Sequence, residues 1–84
     1  MNGFHFIAEE DGVYDCCLMV DIPEDINLSA IITTPQKTHR FFGPISHPLE
    51  LVLRLDRGDR VDINFFGADK ATFTKRNLWQ EVER

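Results

Sequence analysis

"LELVLRLDRGDRVDINFF", residues 49–66, places an apolar residue at every second position on either side of a turn. Leu49, Leu51, Leu53 and Leu55 share one face of the first run, and Val61, Ile63 and Phe65 share one face of the second. A period of two is the mark of a half-buried β-strand. The spacing therefore predicts a β-hairpin, its strands side by side with their apolar residues on a common face. The tip spells Arg57-Gly58-Asp59, a tripeptide that adhesion receptors also read. Turn chemistry accounts for each of its residues. Gly58 reaches the left-handed region without a Cβ penalty, Asp56 and Asp59 are common turn formers, and the arginines keep the tip solvated. The tripeptide is read as a turn.

Outward from this stretch, strand signals dominate. Phe4 and Phe6 alternate with polar neighbours, and residues 8–12 ("AEEDG") form a turn. Residues 13–20 ("VYDCCLMV") suit a pleated sheet and are broken at Pro23. The run 26–34 ("INLSAIITT") ends before Pro35, and 38–42 ("THRFF") closes at Gly43-Pro44. Residues 71–75 ("ATFTK") form a late strand. The segment 76–84 fits either a final strand or one short helix with Asn77 as its cap. The chain reads as one all-β domain over residues 1–84, a small two-sheet sandwich of roughly six to eight strands.

At 84 residues the chain buries only about 60–65% of the surface its unfolded form exposes, so outside support is expected. Cys16 and Cys17 do not supply it to each other, because neighbours in a strand point to opposite faces. No charged and apolar leader opens the chain and no run reaches membrane-spanning length. The expectation is a protein of the cytoplasm, or one assembled into a particle, with no membrane contact. A net charge of −5 argues against binding a phosphate backbone. Residues 1–36 hold no Lys or Arg, and every basic residue falls at or after Lys37. If the halves separate in space, oppositely charged surfaces follow, with Glu9, Glu10, Asp11 and Asp15 on the acidic one. If they interleave, the polarity averages out.

Several runs are apolar on both faces: Cys16 to Val20, Ile31-Ile32, Phe41-Phe42, Leu51-Val52-Leu53 and Phe65-Phe66. A sandwich strand needs apolar residues on its inner face alone, and a cluster of outward ones marks a contact surface. The expected interface draws on Phe41, Phe42, Phe65, Phe66 and Val52. The lone Trp79 either joins them, Trp being enriched in binding hot spots, or plugs one end of the sandwich.

Three stretches together resemble the globular-head jelly roll of complement and tumour necrosis factor. Residues 4–20 ("FHFIAEEDGVYDCCLMV") are similar to that superfamily's phenylalanine, turn and Gly-x-Tyr strand pattern. Residues 49–66 are similar to its leucine-rich strand, Gly-Asp turn and following strand, and "ATFTKRNLW" falls where its aromatic closing strand lies. The family's opening strands and its closing phenylalanine-glycine signature have no counterpart here. The resemblance implies a jelly-roll-like, non-enzymatic and commonly trimeric module. Tyr14 or the phenylalanine pairs would then pack about a threefold axis.

Catalytic and metal-binding patterns are weak. Asp56, Asp59 and Asp62 straddle a turn flanked by arginines and match no calcium loop. His5, His39 and His47 fall in no ligand spacing, and no cysteine pair at two-residue spacing accompanies them. The acidic first third disfavours a thiolate at Cys16 or Cys17. No metal, cofactor or enzymatic activity is expected. The leading expectation is a self-associating interaction module, as in virion, appendage or host-interaction proteins. The alternatives are a small acidic inhibitor that covers a basic site on a host protein or mimics nucleic acid, and, least favoured, an enzyme using His39 or His47.

Overall fold

A computed structural model describes residues 2–21, 27–44, 48–68 and 70–81. Seven strands and one helical turn follow in chain order: β1 (Asn2–Ile7), β2 (Gly12–Asp21), β3 (Asn27–Thr33), β4 (Thr38–Pro44), β5 (Leu49–Leu55), β6 (Arg60–Phe66), β7 (Lys70–Asn77) and α1 (Leu78–Glu81). They form a four-stranded sheet ordered β1-β6-β3-β4 and a three-stranded sheet ordered β5-β2-β7, antiparallel throughout. The fold is an all-β, two-sheet sandwich. The described residues hold seven strands, in sheets of four and three, where a complete jelly roll has eight.

The stretch 49–66 does not make the expected hairpin. β5 pairs with β2 in one sheet, whereas β6 pairs with β1 and β3 in the other. The turn between them carries the chain from sheet to sheet, so Leu53 and Leu55 look at Val61 and Ile63 across the core rather than alongside them. Alternation permits both arrangements, because either one buries the same side chains. The tight turn is present nonetheless: Asp59 N–H donates to Asp56 C=O at 3.0 Å, and Gly58 has φ 92°. Its outward groups are taken by the 8–11 connection. Ala8 N–H donates to Asp59 C=O and Gly58 N–H donates to Ala8 C=O, both at 2.8 Å. Arg57 N–H donates to Asp11 Oδ1 at 2.7 Å. Arg57-Gly58-Asp59 is thus tied into the sandwich.

Among the described elements, β3 and β4 form the one local hairpin, closed by Thr34 N–H donating to Lys37 C=O at 2.8 Å. The core holds Leu28, Leu55, Val61 and Ile63, which are essentially inaccessible. A layer of aromatic rings joins the sheets: Phe73 of β7 lies 5.6 Å from Phe4 and 5.8 Å from Phe6 of β1, and Phe6 lies 6.0 Å from Tyr14 of β2. Each fully buried large apolar side chain contributes about 1.5–3 kcal/mol. Within 76–81, the described part of segment 76–84, both readings occur in turn. The strand runs to Asn77, whose Oδ1 then accepts the Trp79 N–H at 3.1 Å and caps α1.

Among the described strands, charge asymmetry along the chain is not kept as a separation in space. Each strand of the acidic first third lies against a strand of the basic remainder: β1 on β6, β2 between β5 and β7, β3 between β4 and β6. Asp15 of β2 accordingly meets Arg76 of β7 at 3.4 Å.

Candidate functional site

Strand register decides which apolar residues reach the surface together. On the four-stranded sheet, Phe4, Phe6, Leu28, Ala30, Ile32, Val61, Ile63 and Phe65 face inward. Their neighbours face out. Ser29 is paired with Phe66 on one side and with Phe42 on the other, so one outer row reads Phe66–Ser29–Phe42. At a strand spacing of about 4.7–4.9 Å the two phenylalanine backbones stand roughly 10 Å apart with a small residue between them. Phe42 is 74% exposed and Phe66 48%. The next row runs Gly3–Asn64–Ile31–Arg40, and the one beyond it runs His5–Asp62–Thr33–Thr38. The result is two exposed rings at one end of a sheet face, with Ile31 and Ile7 among mainly polar groups over the rest.

The expected interface residues do not form one surface. Phe65 and Tyr14 lie in the core; Phe65 is 2% exposed, because the parity that turns Phe66 outward turns its neighbour in. Phe41 is half-buried against the core. Val52 and Trp79 are exposed on the three-stranded sheet and its flank, on the other side of the molecule. There Arg54 lies over the Trp79 ring at 4.8 Å. Met19 and Ile7 are exposed as well. Parity alone marks them, Met19 sharing an outer face with Asp15 and Cys17.

Of the acidic set, Glu9, Glu10 and Asp11 are exposed on the 8–11 connection, whereas the Asp15 side chain is only 14% exposed. Its Oδ1 is buried. Glu50, on the same face of β5, has its carboxyl pushed above the usual range, first by a hydrogen bond with Asp15 and then by that residue's charge. Arg60 beside Asp62 holds that carboxyl below its usual range.

The turn carboxylates are engaged individually: Asp56 with Arg54 and Asp62 with Arg60, each at 3.0 Å, while Asp59 Oδ2 accepts the Asp56 N–H. His5 lies on the outer face opposite Asp62. His39 lines a cavity of about 370 Å³ between β4 and β5, together with Phe41, Leu49 and Glu50. No hydrogen bond among the described residues joins His39 to a carboxylate. His47 lies outside the described residues. Cys16 is buried, and its thiol is raised to about 11, mainly by burial. Among the described residues none of these groups forms a nucleophile–base arrangement.

Fold and surface together define a small β-sandwich bearing an aromatic patch on one sheet face. A scan against protein-family models finds no match, and searches of curated proteins and of solved structures find none either.

Proposed function

We propose that the chain is a non-catalytic interaction module that self-associates through the outer face of its four-stranded sheet. The observation that carries this reading is the Phe66–Ser29–Phe42 row, in which two exposed rings flank one small residue on a sheet face. Burial of two phenylalanines is worth about 3–6 kcal/mol per protomer. Association costs roughly 4–15 kcal/mol in lost freedom. Assembly on this patch is therefore weak and concentration-dependent, in the micromolar range or above. The resemblance to a commonly trimeric superfamily makes a trimer the favoured state.

Light scattering and sedimentation of the wild-type chain across the micromolar range, in half-molar salt, test the reading. The mass is expected to rise with concentration, and the double variant Phe42→Asp/Phe66→Asp to stay monomeric with an unchanged circular dichroism spectrum. A wild-type monomer at every concentration overturns it. Among the described residues, an acidic-inhibitor role has the exposed Glu9–Asp11 connection as its surface, and binding through that would be lost at the same salt concentration, where screening acts within about 4–5 Å.

A further inference from the structure

The sandwich is open along one side, where β1 ends the four-stranded sheet and β7 ends the three-stranded one. Edge strands are ordinarily blunted by charge or proline. β7 carries Lys70, Lys75 and Arg76; β5 carries Glu50 and Arg54; β4 carries Arg40 and ends at Pro44. β1, "NGFHFI", has no Lys, Arg, Asp, Glu or Pro. It is the unguarded edge. Its even-numbered residues bond inward, as Ala8 shows by donating to Asp59 C=O. The alternation of an antiparallel ladder then turns the amides and carbonyls of Gly3, His5 and Ile7 to the open side.

A groove runs along that edge. One part, of about 680 Å³, lies between residues 5–9 and Lys75, with Arg57 and Gly58 at its end. A second, of about 380 Å³, shares Ile7, Glu9 and Lys75 and continues to Arg76 and Gln80. Lys75 occupies an inward position of β7, since its partner Cys16 is a core residue, yet it is exposed, with Nζ 5.2 Å above the Phe6 ring. Among the described residues Lys75 and Arg57 make no ion pair, Arg76 is held by Asp15, and Glu9 is the one acid lining the groove. The groove is cationic in a chain of net charge −5.

We propose that this groove takes an extended peptide segment of another protein, which adds to β1 as a further strand and directs acidic side chains at Lys75 and Arg57. Backbone pairing along the Gly3, His5 and Ile7 edge supplies register, and the cations select the sequence. Alternate residues of the segment lie beside Ile7 on the outer face, where apolar side chains fit. A second copy of β1 is a poorer occupant, because antiparallel pairing of two such edges brings both Lys75 side chains to one seam. The site is separate from the Phe42/Phe66 patch, and either proposal can fail alone.

The probe is a fluorescein-labelled heptapeptide of alternating valine and glutamate, followed by fluorescence anisotropy. Its controls are the same peptide with lysine for glutamate and the same peptide N-methylated at alternate residues. Saturable binding of the acidic peptide is expected, weakened about tenfold or more by either change and by Lys75→Glu, and retained by Phe42→Asp/Phe66→Asp. His5→Pro removes an N–H that faces the groove and leaves the β1–β6 ladder intact, so it should abolish binding. If that variant does not fold, Lys75→Glu, at an exposed position, decides the matter. The proposal is overturned if the acidic peptide fails to saturate at millimolar concentration or if the lysine peptide binds equally. Equal binding of the N-methylated peptide overturns it as well. So does loss of self-association in His5→Pro without any peptide binding, which would assign the edge to a second copy.

Discussion

The side-chain amide of Asn77 donates to the backbone carbonyl of Asp11 at 3.2 Å, joining positions 66 residues apart. The same side chain caps α1 through the Trp79 N–H and packs directly over Gly12, where a Cβ would collide with it. One buried residue thus ties the last strand to the first crossing between sheets. Asn77→Ala should cost about 1–2 kcal/mol, the sum of a lost cap and a buried hydrogen bond, read as a lower urea midpoint at unchanged slope. Gly12→Ala should destabilise by a comparable or larger amount, since the Asn77 side chain must move.

Phe65 and Phe66 offer a direct comparison of the two faces. Phe65→Ala should cost about 3–5 kcal/mol, as expected for a phenylalanine truncated in a core. Phe66→Ala should lie within about 0.5 kcal/mol of wild type at concentrations where the chain is monomeric. Chemical denaturation of both variants at low micromolar concentration checks the contrast. Equal losses would mean that Phe66 also packs within the subunit.

Gly58 has φ 92° with open space where a Cβ would point. The cost of Gly58→Ala is therefore conformational alone, about 1–2 kcal/mol. Arg57→Ala beside it should change stability by less than about 0.5 kcal/mol. Thermal denaturation of the two variants separates backbone demand from side-chain contribution in this turn.

Cys16 and Cys17 should differ sharply in reactivity. Burial holds the Cys16 thiol up at about 11, whereas Cys17 is half-buried on the outer face. Iodoacetamide under native conditions should label Cys17 first and leave Cys16 unmodified until the chain unfolds. Peptide mapping by mass spectrometry gives the order, and early labelling of Cys16 would contradict the placement of β2.

Glu50 supplies a pH dependence of defined sign. Its folded pKa is raised from the ordinary 4.5 by the hydrogen bond with Asp15, and Arg76 opposes the shift. A carboxyl raised on folding contributes stability that is full below its unfolded value and is lost as the pH climbs through the elevated one. Glu50→Gln cannot ionise and keeps a donor toward Asp15. Its melting temperature should therefore gain on the wild type as the pH rises from about 4 to 7. A difference that stays constant with pH would place Glu50 away from Asp15.

Most of the strands, and the parity of their side chains, are legible in the chain. The alternation at 49–55 and 60–66 locates β5 and β6, and the identity of Gly58 locates the turn between them. The aromatic patch was legible only in part. Adjacent apolar pairs announce that one member of each faces out, but not which of the outward residues meet. Phe42 and Phe66 share a row because both strands flank β3, while Val52 lies on the opposite sheet because β5 pairs with β2. The groove at β1 was not legible, since it depends on which strands are left at the edges. Lys75 carries the one local signal of it, a charge at an inward position of a strand.

Period-two patterning is a local property, and the sequence by itself determined that this chain forms strands, where they bend, and which side chains each one must bury. Two apolar faces can be buried side by side or facing one another at nearly equal gain, because the hydrophobic effect has no direction. Long-range pairing made that choice. It separated β5 from β6, mixed the acidic third with the basic remainder, and left β1 bare beside Lys75.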